Sequence, residues 1–226
     1  MKKILFHLFF VAIVAGTILS DFYALQGYFY LSKPLIMVWI GAYFLIHSRS
    51  IDAVIVRMAI GAFIFSWIGD IFLMFSEKGM VFFASGVFSF LIAQVFYIVL
   101  FLKTIQLSRK KSFLKKQPFW LIAYIAYGML FAIILYSKLD NLLRIAVFIY
   151  IAAILAMSSM ALNRLGNGHP VSFTLIFSGS LFFVISDSLI AVDRFLAPFS
   201  LAAPLILLTY IAAQYLIMRG ILKQYE

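Results

Sequence analysis

Eight long apolar segments, separated by short polar breaks, run along the chain. The breaks carry charged residues or the turn-forming residues Gly, Pro and Asn. A transmembrane helix needs about 20 mostly apolar residues. The pattern therefore predicts an all-α polytopic membrane protein with eight transmembrane helices in a single domain, residues 1–226. The predicted helices lie near residues 4–20, 32–47, 54–75, 79–102, 118–137, 142–162, 171–190 and 200–221.

The first segment, MKKILFHLFFVAIVAGTILS, has two interpretations. Two lysines, an apolar stretch and small residues are also typical of a signal peptide. We favour a first transmembrane helix, because the other segments need it for an even count and a consistent charge pattern.

Composition agrees with a membrane protein. The chain is 65% hydrophobic and 12% charged, whereas a soluble domain is about half apolar and about a quarter charged. The net charge of +10 could suit nucleic acid, but the lysines and arginines lie mainly in short loops, so we expect no nucleic-acid partner. Cysteine is absent, which excludes disulfide bonds and thiolate metal sites.

The basic residues also predict an orientation. With eight helices both termini lie on one side, together with 13 of the 18 lysines and arginines. Cytoplasmic loops carry the excess of positive charge, which places both termini and the 103–116 loop in the cytoplasm of, we expect, a bacterial inner membrane. That loop either anchors the topology, which we favour, or binds anionic lipid headgroups.

Two aspartates lie within apolar helices, Asp70 in FSWIGDIFLMF and Asp187 in LFFVISDSLIA. Each follows the start of its predicted helix by 16 residues, or about 24 Å, which is the outer third of a core about 30 Å thick. Carboxylates at such depth are costly and usually face a cavity. We predict that the pair shares a pocket as a general acid and a general base. The alternative is that neighbouring hydroxyls satisfy each Asp and that both only lock helix packing.

The surroundings of the two aspartates repeat. Residues 65–73 align without a gap with residues 182–190, and the next helix carries Ala-Gln in each case, at Gln94 and Gln214. The agreement of motif, order and depth predicts a parallel 4+4 internal repeat. The two glutamines either form the floor of the pocket or join helices.

Metal and cofactor motifs are absent from the sequence. His7, His47 and His169 share no helical spacing of the HxxxH kind, so no metal site is predicted. There is no G-x-S-x-G, Walker or dinucleotide motif, and we expect no organic cofactor.

Several motifs together resemble the YhhN family of eight-span membrane proteins, which includes the lysoplasmalogenases of animals and bacteria. In the family's order they are SKPLIM (32–37), SWIGDIFLMF (66–75), GVFSFLIAQVFYI (86–98), GSLFFVISDSLIAVDRF (179–195) and YIAAQYLI (210–217). One departure is Gln94, where many relatives carry His, so a proton-shuttle role at this position is not implied.

The resemblance implies an enzyme that hydrolyses the vinyl ether bond of a lysophospholipid substrate, without metal or cofactor. Protonation at carbon gives an oxocarbenium ion, which water then captures. In glycosidases, two carboxyl groups catalyse a reaction through a similar cation. On this hypothesis Asp70 and Asp187 are the catalytic pair. Lys33 binds the phosphate, holds one Asp ionised, or simply lies at the interface. The residues expected to hydrogen-bond the pair are Ser66, Ser186 and Tyr210.

Three other functions fit the same pattern. Two intramembrane carboxylates and parallel repeats also suit a proton-coupled lipid or solute transporter, although no span is clearly broken at the midplane. A non-catalytic lipid-binding protein and a hydrolase of another ether or ester lipid are the remaining alternatives. The sequence leaves the oligomeric state open.

Overall fold

The computed structural model describes residues 2–107 and 112–226, and their secondary structure is helical throughout, with no strand. Arg109, Lys110 and Lys111 of the predicted basic loop lie outside the described residues. The helices are α1 (Lys2–Phe22), α2 (Gln26–His47), α3 (Ala53–Met74), α4 (Met80–Leu107), α5 (Phe113–Lys116), α6 (Trp120–Tyr136), α7 (Asn141–Leu162), α8 (Pro170–Ala191) and α9 (Ala202–Lys223).

Six helices of the described chain are long and apolar enough to cross a membrane, namely α2, α3, α4, α7, α8 and α9. Helices α1 and α6 provide shorter apolar segments, Phe6–Phe22 and Trp120–Tyr136. Large apolar side chains point outward from the bundle, as Leu31 and Ile133 do with about seven-tenths of their surface exposed (72% and 70%). This arrangement suits a lipid solvent, in which apolar side chains face outward at no cost.

Two tightly packed helix pairs, α3 with α4 and α8 with α9, form the centre of the bundle. Small residues allow the close approach: a Cβ at Gly179 would lie 2.9 Å from the Ala213 carbonyl oxygen. Serine hydroxyls bond across both pairs. Ser89 donates to the carbonyl of Phe65, and Ser186 donates to the carbonyl of Ile206. Such interhelical bonds replace the hydrophobic effect, which does not drive association within lipid.

Two helix boundaries differ from the sequence prediction by six residues, more than any other. Helix α2 begins at Gln26, six residues before the predicted start at residue 32, and holds Pro34 in its interior. A proline removes one backbone hydrogen bond but need not end a helix in a membrane, where packing holds the segment. Beyond α8 the helical chain continues as a π-helical turn, Val192–Leu196, so the helical run is longer than hydropathy indicated.

A buried arginine ties together one end of the bundle. Arg164, which follows α7, is 1% exposed and donates hydrogen bonds to Thr104 (3.1 Å), Ser172 (3.1 Å) and Gln224 (3.2 Å). These partners belong to α4, α8 and the end of α9. Burial lowers the pKa of Arg164 to about 10, so the guanidinium remains a cation at neutral pH.

Candidate active site

The predicted catalytic pair lines one large cavity. The cavity has a volume of about 650 Å³ and lies between α2, α3, α8 and α9. We call its rim the end of α1 with the α1–α2 turn, the short turn after α3 and the π-helical turn after α8. Of the predicted site residues, five line this polar cavity, namely Lys33, Asp70, Ser186, Asp187 and Tyr210. Because helix depth was the basis for pairing the aspartates, their common cavity is the geometry expected from the depth count.

Asp70 belongs to a chain of hydrogen bonds that runs into the protein. The side chain is 4% exposed, and its Oδ2 accepts a hydrogen bond of 2.7 Å from the Tyr210 hydroxyl. Gln214 Nε2 donates to that same hydroxyl over 3.3 Å, and the Tyr97 hydroxyl donates to Gln214 Oε1. Tyr210 and Gln214 are four residues apart on α9 and so face the same side of it. This series of hydrogen bonds fixes the position of the Asp70 carboxyl group.

Asp187 has a different tyrosine partner. The Tyr150 hydroxyl on α7 donates a hydrogen bond of 2.5 Å to Asp187 Oδ2. Within the described residues neither aspartate forms a hydrogen bond through Oδ1 that involves another protein atom, so one oxygen of each carboxyl group remains for a ligand or water.

Charges act on the pair from within the cavity. The carboxyl groups of Asp70 and Asp187 line the same cavity, where two ionised carboxylates would repel one another. The Lys33 ammonium attracts Asp70 and also Asp21 at the rim. Repulsion disfavours two ionised carboxylates side by side, while Lys33 favours the ionised form of its neighbour Asp70. The arrangement can therefore keep one carboxylate and one protonated carboxyl group in the same cavity.

Three predicted site residues lie behind the cavity wall. Ser66, Gln94 and Gln214 are each fully buried and do not line the cavity. The Ser66 hydroxyl and both amide atoms of Gln94 form no hydrogen bond of acceptable geometry, although Gln94 adjoins the Tyr150 hydroxyl. Only Gln214 reaches an aspartate, through Tyr210.

The expected hydrogen bonds from the two serines to the aspartates were wrong. Ser66 bonds neither of them, and Ser186 donates instead to the carbonyl of Ile206 on the neighbouring helix. A short serine side chain reaches the nearest backbone carbonyl before it reaches a carboxyl group on another helix. Of the three residues expected to bond the pair, Tyr210 alone does so.

Sequence reasoning missed Tyr150. The residue lies nine positions after the start of α7 at Asn141, and Asp187 lies nine positions before the end of the π-helical turn at Leu196. The two helices are antiparallel neighbours, so the start of α7 lies near the end of the π-helical turn. Nine residues from each of these ends place Tyr150 and Asp187 at similar depth. The depth signal was present, but the predicted end of the helix at residue 190 concealed it.

Charged residues around the rim were also missed. Three acidic and two basic side chains line the cavity besides Lys33 and the two aspartates. They come from the end of α1, the short turn after α3 and the π-helical turn, a juxtaposition that hydropathy does not reveal. The rim residues are Asp21, Glu77, Lys78, Asp193 and Arg194.

A second, apolar cleft adjoins the polar cavity. It is narrow, with a volume of about 80 Å³, and lies between α4, α6, α7 and α8. Both spaces share one wall, which comprises Leu73, Phe83, Phe90, Asp187 and Ile190. Asp187 is the one ionisable residue of that shared wall.

The histidines of the described chain have local roles. His169 Nδ1 accepts a hydrogen bond from the Val171 amide and caps α8, and His47 Nδ1 contacts the Tyr43 carbonyl oxygen. Within residues 2–107 and 112–226, no three His, Asp or Glu side chains are grouped closely enough to hold a metal ion.

Comparison with known proteins assigns this chain to a family. A model of the YhhN family matches residues 28–221. The bovine (Bos taurus) protein named lysoplasmalogenase TMEM86A is 28% identical over 202 residues, which cover 85% of this chain and 77% of the relative. The human (Homo sapiens) protein of that name is 28% identical over 206 residues, with the same coverage. No solved structure matches this chain with significant similarity.

Proposed function

The chain belongs to the YhhN family, and from this premise we propose that it is an integral membrane hydrolase that cleaves the vinyl ether bond of a lysoplasmalogen. The products are a fatty aldehyde and a glycerophosphoethanolamine or glycerophosphocholine. The observation that carries the proposal is the common cavity of Asp70 and Asp187. The names of the bovine and human relatives support lysoplasmalogen as the substrate.

The chemistry of a vinyl ether requires two carboxyl groups in different protonation states. Proton transfer to carbon turns the vinyl ether into an oxocarbenium ion, which a nearby carboxylate stabilises until water adds. Glycosidases handle the same kind of cation with a similar pair. A positioned general acid typically contributes about 10²–10⁴-fold to the rate. Asp70 and Asp187 can divide these two roles.

Two tyrosines position the pair. Tyr210 and Tyr150 each donate a hydrogen bond to one Oδ2 atom, so each carboxyl group has a fixed orientation with Oδ1 left for substrate. Fixed orientation matters because a small misplacement of a catalytic group reduces the rate strongly. Lys33 lies in the same cavity, where its ammonium can bind the phosphate and favour an ionised Asp70.

The rim suits a zwitterionic headgroup. Lys78 and Arg194 provide positive charge for a phosphate, while Asp21, Glu77 and Asp193 provide negative charge for an ethanolamine or choline cation. These turns lie where the helices leave the apolar layer, the depth at which a phospholipid headgroup resides.

For the topology, we propose eight membrane crossings with both termini in the cytoplasm of a bacterial cell and a parallel repeat. The close packing of α3 with α4 and of α8 with α9 supports the repeat. The sequence contains no cysteine, so single cysteines can test the orientation. A membrane-impermeant maleimide should label intact cells carrying Ser137→Cys and spare those carrying Leu165→Cys; the opposite result would reverse the orientation.

The activity test uses purified full-length protein in lipid nanodiscs. The 1-alkenyl, 1-alkyl and 1-acyl forms of lysophosphatidylethanolamine are supplied in parallel, and mass spectrometry detects the products. We expect fatty aldehyde from the alkenyl lipid alone. Asp70→Asn and Asp187→Asn should each reduce the rate by about 10²–10⁴-fold.

Asp140→Asn is the matched control. Asp140 caps α7 from an exposed position outside the cavity, and asparagine is an equally good cap. The control should retain activity. Full cleavage by both correctly folded variants, Asp70→Asn and Asp187→Asn, would overturn the catalytic assignment. Proton-coupled uptake in sealed vesicles without aldehyde release would identify a transporter instead.

A further inference from the structure

Asp187 lies where the polar cavity and the apolar cleft meet. On one side is the polar cavity with Asp70 and Lys33, and on the other is the apolar cleft. A single-chain lipid has the same division, with a polar headgroup and a hydrocarbon chain joined at the ether or ester linkage.

The hydroxyl groups of the apolar cleft are already paired. The hydroxyls of Tyr127 and Ser188 hydrogen-bond to one another over 2.7 Å, and the Tyr150 hydroxyl is engaged with Asp187. The rest of the lining is aliphatic or aromatic, including Phe131 and Ile151. A dry apolar slot of this kind favours a hydrocarbon chain over water.

We propose that this cleft binds the hydrocarbon chain of the substrate and so makes Asp187 the proton donor of the vinyl ether reaction. The proposal rests on the proposed function. In a vinyl ether the chain is attached to the β carbon, which takes the proton, whereas the α carbon is attached to the ether oxygen. A chain in the cleft therefore places the β carbon beside Asp187 and directs the α carbon toward Asp70.

The bonds balance on this assignment. The O–H bond of protonated Asp187 breaks, and the π electrons of the C=C bond form a C–H bond at the β carbon. A lone pair of the ether oxygen completes the oxocarbenium ion beside the Asp70 carboxylate. Water adds to the α carbon and gives a proton back to Asp187. The hemiacetal then breaks its C–O bond to glycerol, whose oxygen takes the hydroxyl proton, and the aldehyde leaves.

The cleft is narrow, and entry of a chain requires α6 to move outward. Helix α6 packs mainly against α7. Polar bonds attach it at only a few described points, which include Tyr127 to Ser188 and Tyr124 to Ser158. Much of its surface faces outward, as at Ile122 and Ile133. A helix held in this way can shift by breaking few contacts.

Binding of a lipid that cannot react tests the cleft separately from catalysis. The probe is 1-alkyl lysophosphatidylethanolamine, with chains of increasing length, measured by calorimetry with full-length protein in nanodiscs. Phe131→Trp narrows the cleft and Phe131→Leu widens it. Ile133→Trp, on the lipid-facing side of the same helix, is the control.

Opposite changes in chain preference for Phe131→Trp and Phe131→Leu would support the proposal. We expect Phe131→Trp to weaken binding of long chains by about tenfold, and Phe131→Leu to move the preference toward bulkier chains. The control should bind as the natural protein does. If Phe131→Trp fails to fold, Phe131→Leu alone decides. If the Phe131 variants prefer the same hydrocarbon chains as the Ile133→Trp control, the proposal that the cleft binds the chain is wrong. Chain-selective binding without cleavage of any vinyl ether would overturn the proposed function and leave the chain site standing.

A cationic analogue tests which aspartate donates the proton. In a 1-alkylamino analogue of the lysophospholipid, an ammonium group replaces the developing cation. An ionised Asp70 should attract it, whereas a protonated Asp187 should not. Asp70→Asn should therefore weaken binding of the analogue at least tenfold more than Asp187→Asn does. Equal losses, or a larger loss for Asp187→Asn, would overturn the assignment.

Discussion

The Tyr150 hydroxyl donates a hydrogen bond of 2.5 Å to Oδ2 of Asp187, from a helix, α7, that contributes no residue to the lining of the polar cavity. The bond joins α7 to α8 at the wall between the polar cavity and the apolar cleft. Its counterpart is the bond of 2.7 Å from Tyr210 to Asp70. Each proposed catalytic carboxyl group is therefore held by a tyrosine from a different helix.

Removal of the Tyr150 hydroxyl should impair turnover more than binding. Tyr150→Phe retains the ring but loses a hydrogen bond to a group that changes charge, a bond worth about 1.5–3 kcal/mol. We expect kcat to fall at least about tenfold, while affinity for the unreactive 1-alkyl lysolipid remains unchanged. Tyr136→Phe, on the exposed surface of α6, should alter neither quantity. A fall in affinity with kcat preserved would show that Tyr150 only shapes the binding site.

Substitution of Lys33 should weaken substrate binding. Lys33→Met keeps the length of the side chain and removes the charge from the polar cavity. If the ammonium binds the phosphate, KM should rise about tenfold, since a charge-assisted hydrogen bond is lost. Lys33→Arg should recover part of the affinity. The exposed Lys138→Met is the control. A lower kcat at constant KM would assign Lys33 to Asp70 rather than to the phosphate.

Removal of the Arg164 side chain should destabilise the protein. Arg164→Ala leaves a cavity and breaks hydrogen bonds to three segments of the chain, at a cost of about 2–4 kcal/mol. Thermal unfolding in detergent should occur several degrees lower. Arg57→Ala, an exposed arginine on α3, should have little effect.

A volume-conserving variant separates packing from charge at the same position. Arg164→Met should cost less than Arg164→Ala, because methionine fills much of the space and carries no buried charge. Thr104, Ser172 and Gln224 all have further hydrogen bonds with other groups, so they are not left unpaired. Equal losses for both variants would show that the guanidinium itself is required.

Close helix packing at Gly179 should not tolerate a methyl group. Gly179→Ala would bring the new Cβ within 2.9 Å of the Ala213 carbonyl oxygen, and backbone on α9 cannot move aside cheaply. We expect a loss of about 1–3 kcal/mol, as for overpacked cores. Gly41→Ala is the matched control, because no atom lies within 4 Å of its new methyl group. Alanine there should stabilise α2 by up to about 1 kcal/mol. Thermal unfolding of both variants provides the comparison.

Depth along a helix could be predicted from the sequence, but rotation about the helix axis could not. Apolar runs gave the approximate positions of the helices. Asp70 and Asp187 each lie 16 residues after a predicted helix start, which placed them at the same depth in the membrane. Which side chain faces Asp187 also depends on how α7 is rotated about its axis, and the predicted helix end at residue 190 misplaced Asp187 in depth relative to α7. Tyr150 was therefore missed. The serines were assigned to the pair because of their sequence neighbourhood, although Ser66 bonds neither aspartate and Ser186 bonds the Ile206 carbonyl.

Hydropathy also could not locate the polar turns. Helix α2 starts earlier than Pro34 indicated, so Lys33 lies within a helix rather than at its first turn. Charged side chains from distant turns meet around the cavity only because the helices converge, and no local pattern encodes that meeting.

The π-helical turn at Val192–Leu196 lies between Asp187 and the rim residues that follow it, so the rim can change in sequence without moving the catalytic pair. Each residue of an α-helix advances by about 100° around the axis. Loss of Val192 would therefore swing Asp193 away from the Phe199 amide that it now binds and carry Arg194 off the rim. Asp187 precedes the turn and would keep its place. A single-codon insertion or deletion could thus change which headgroups the entrance admits while the chemistry within stays the same.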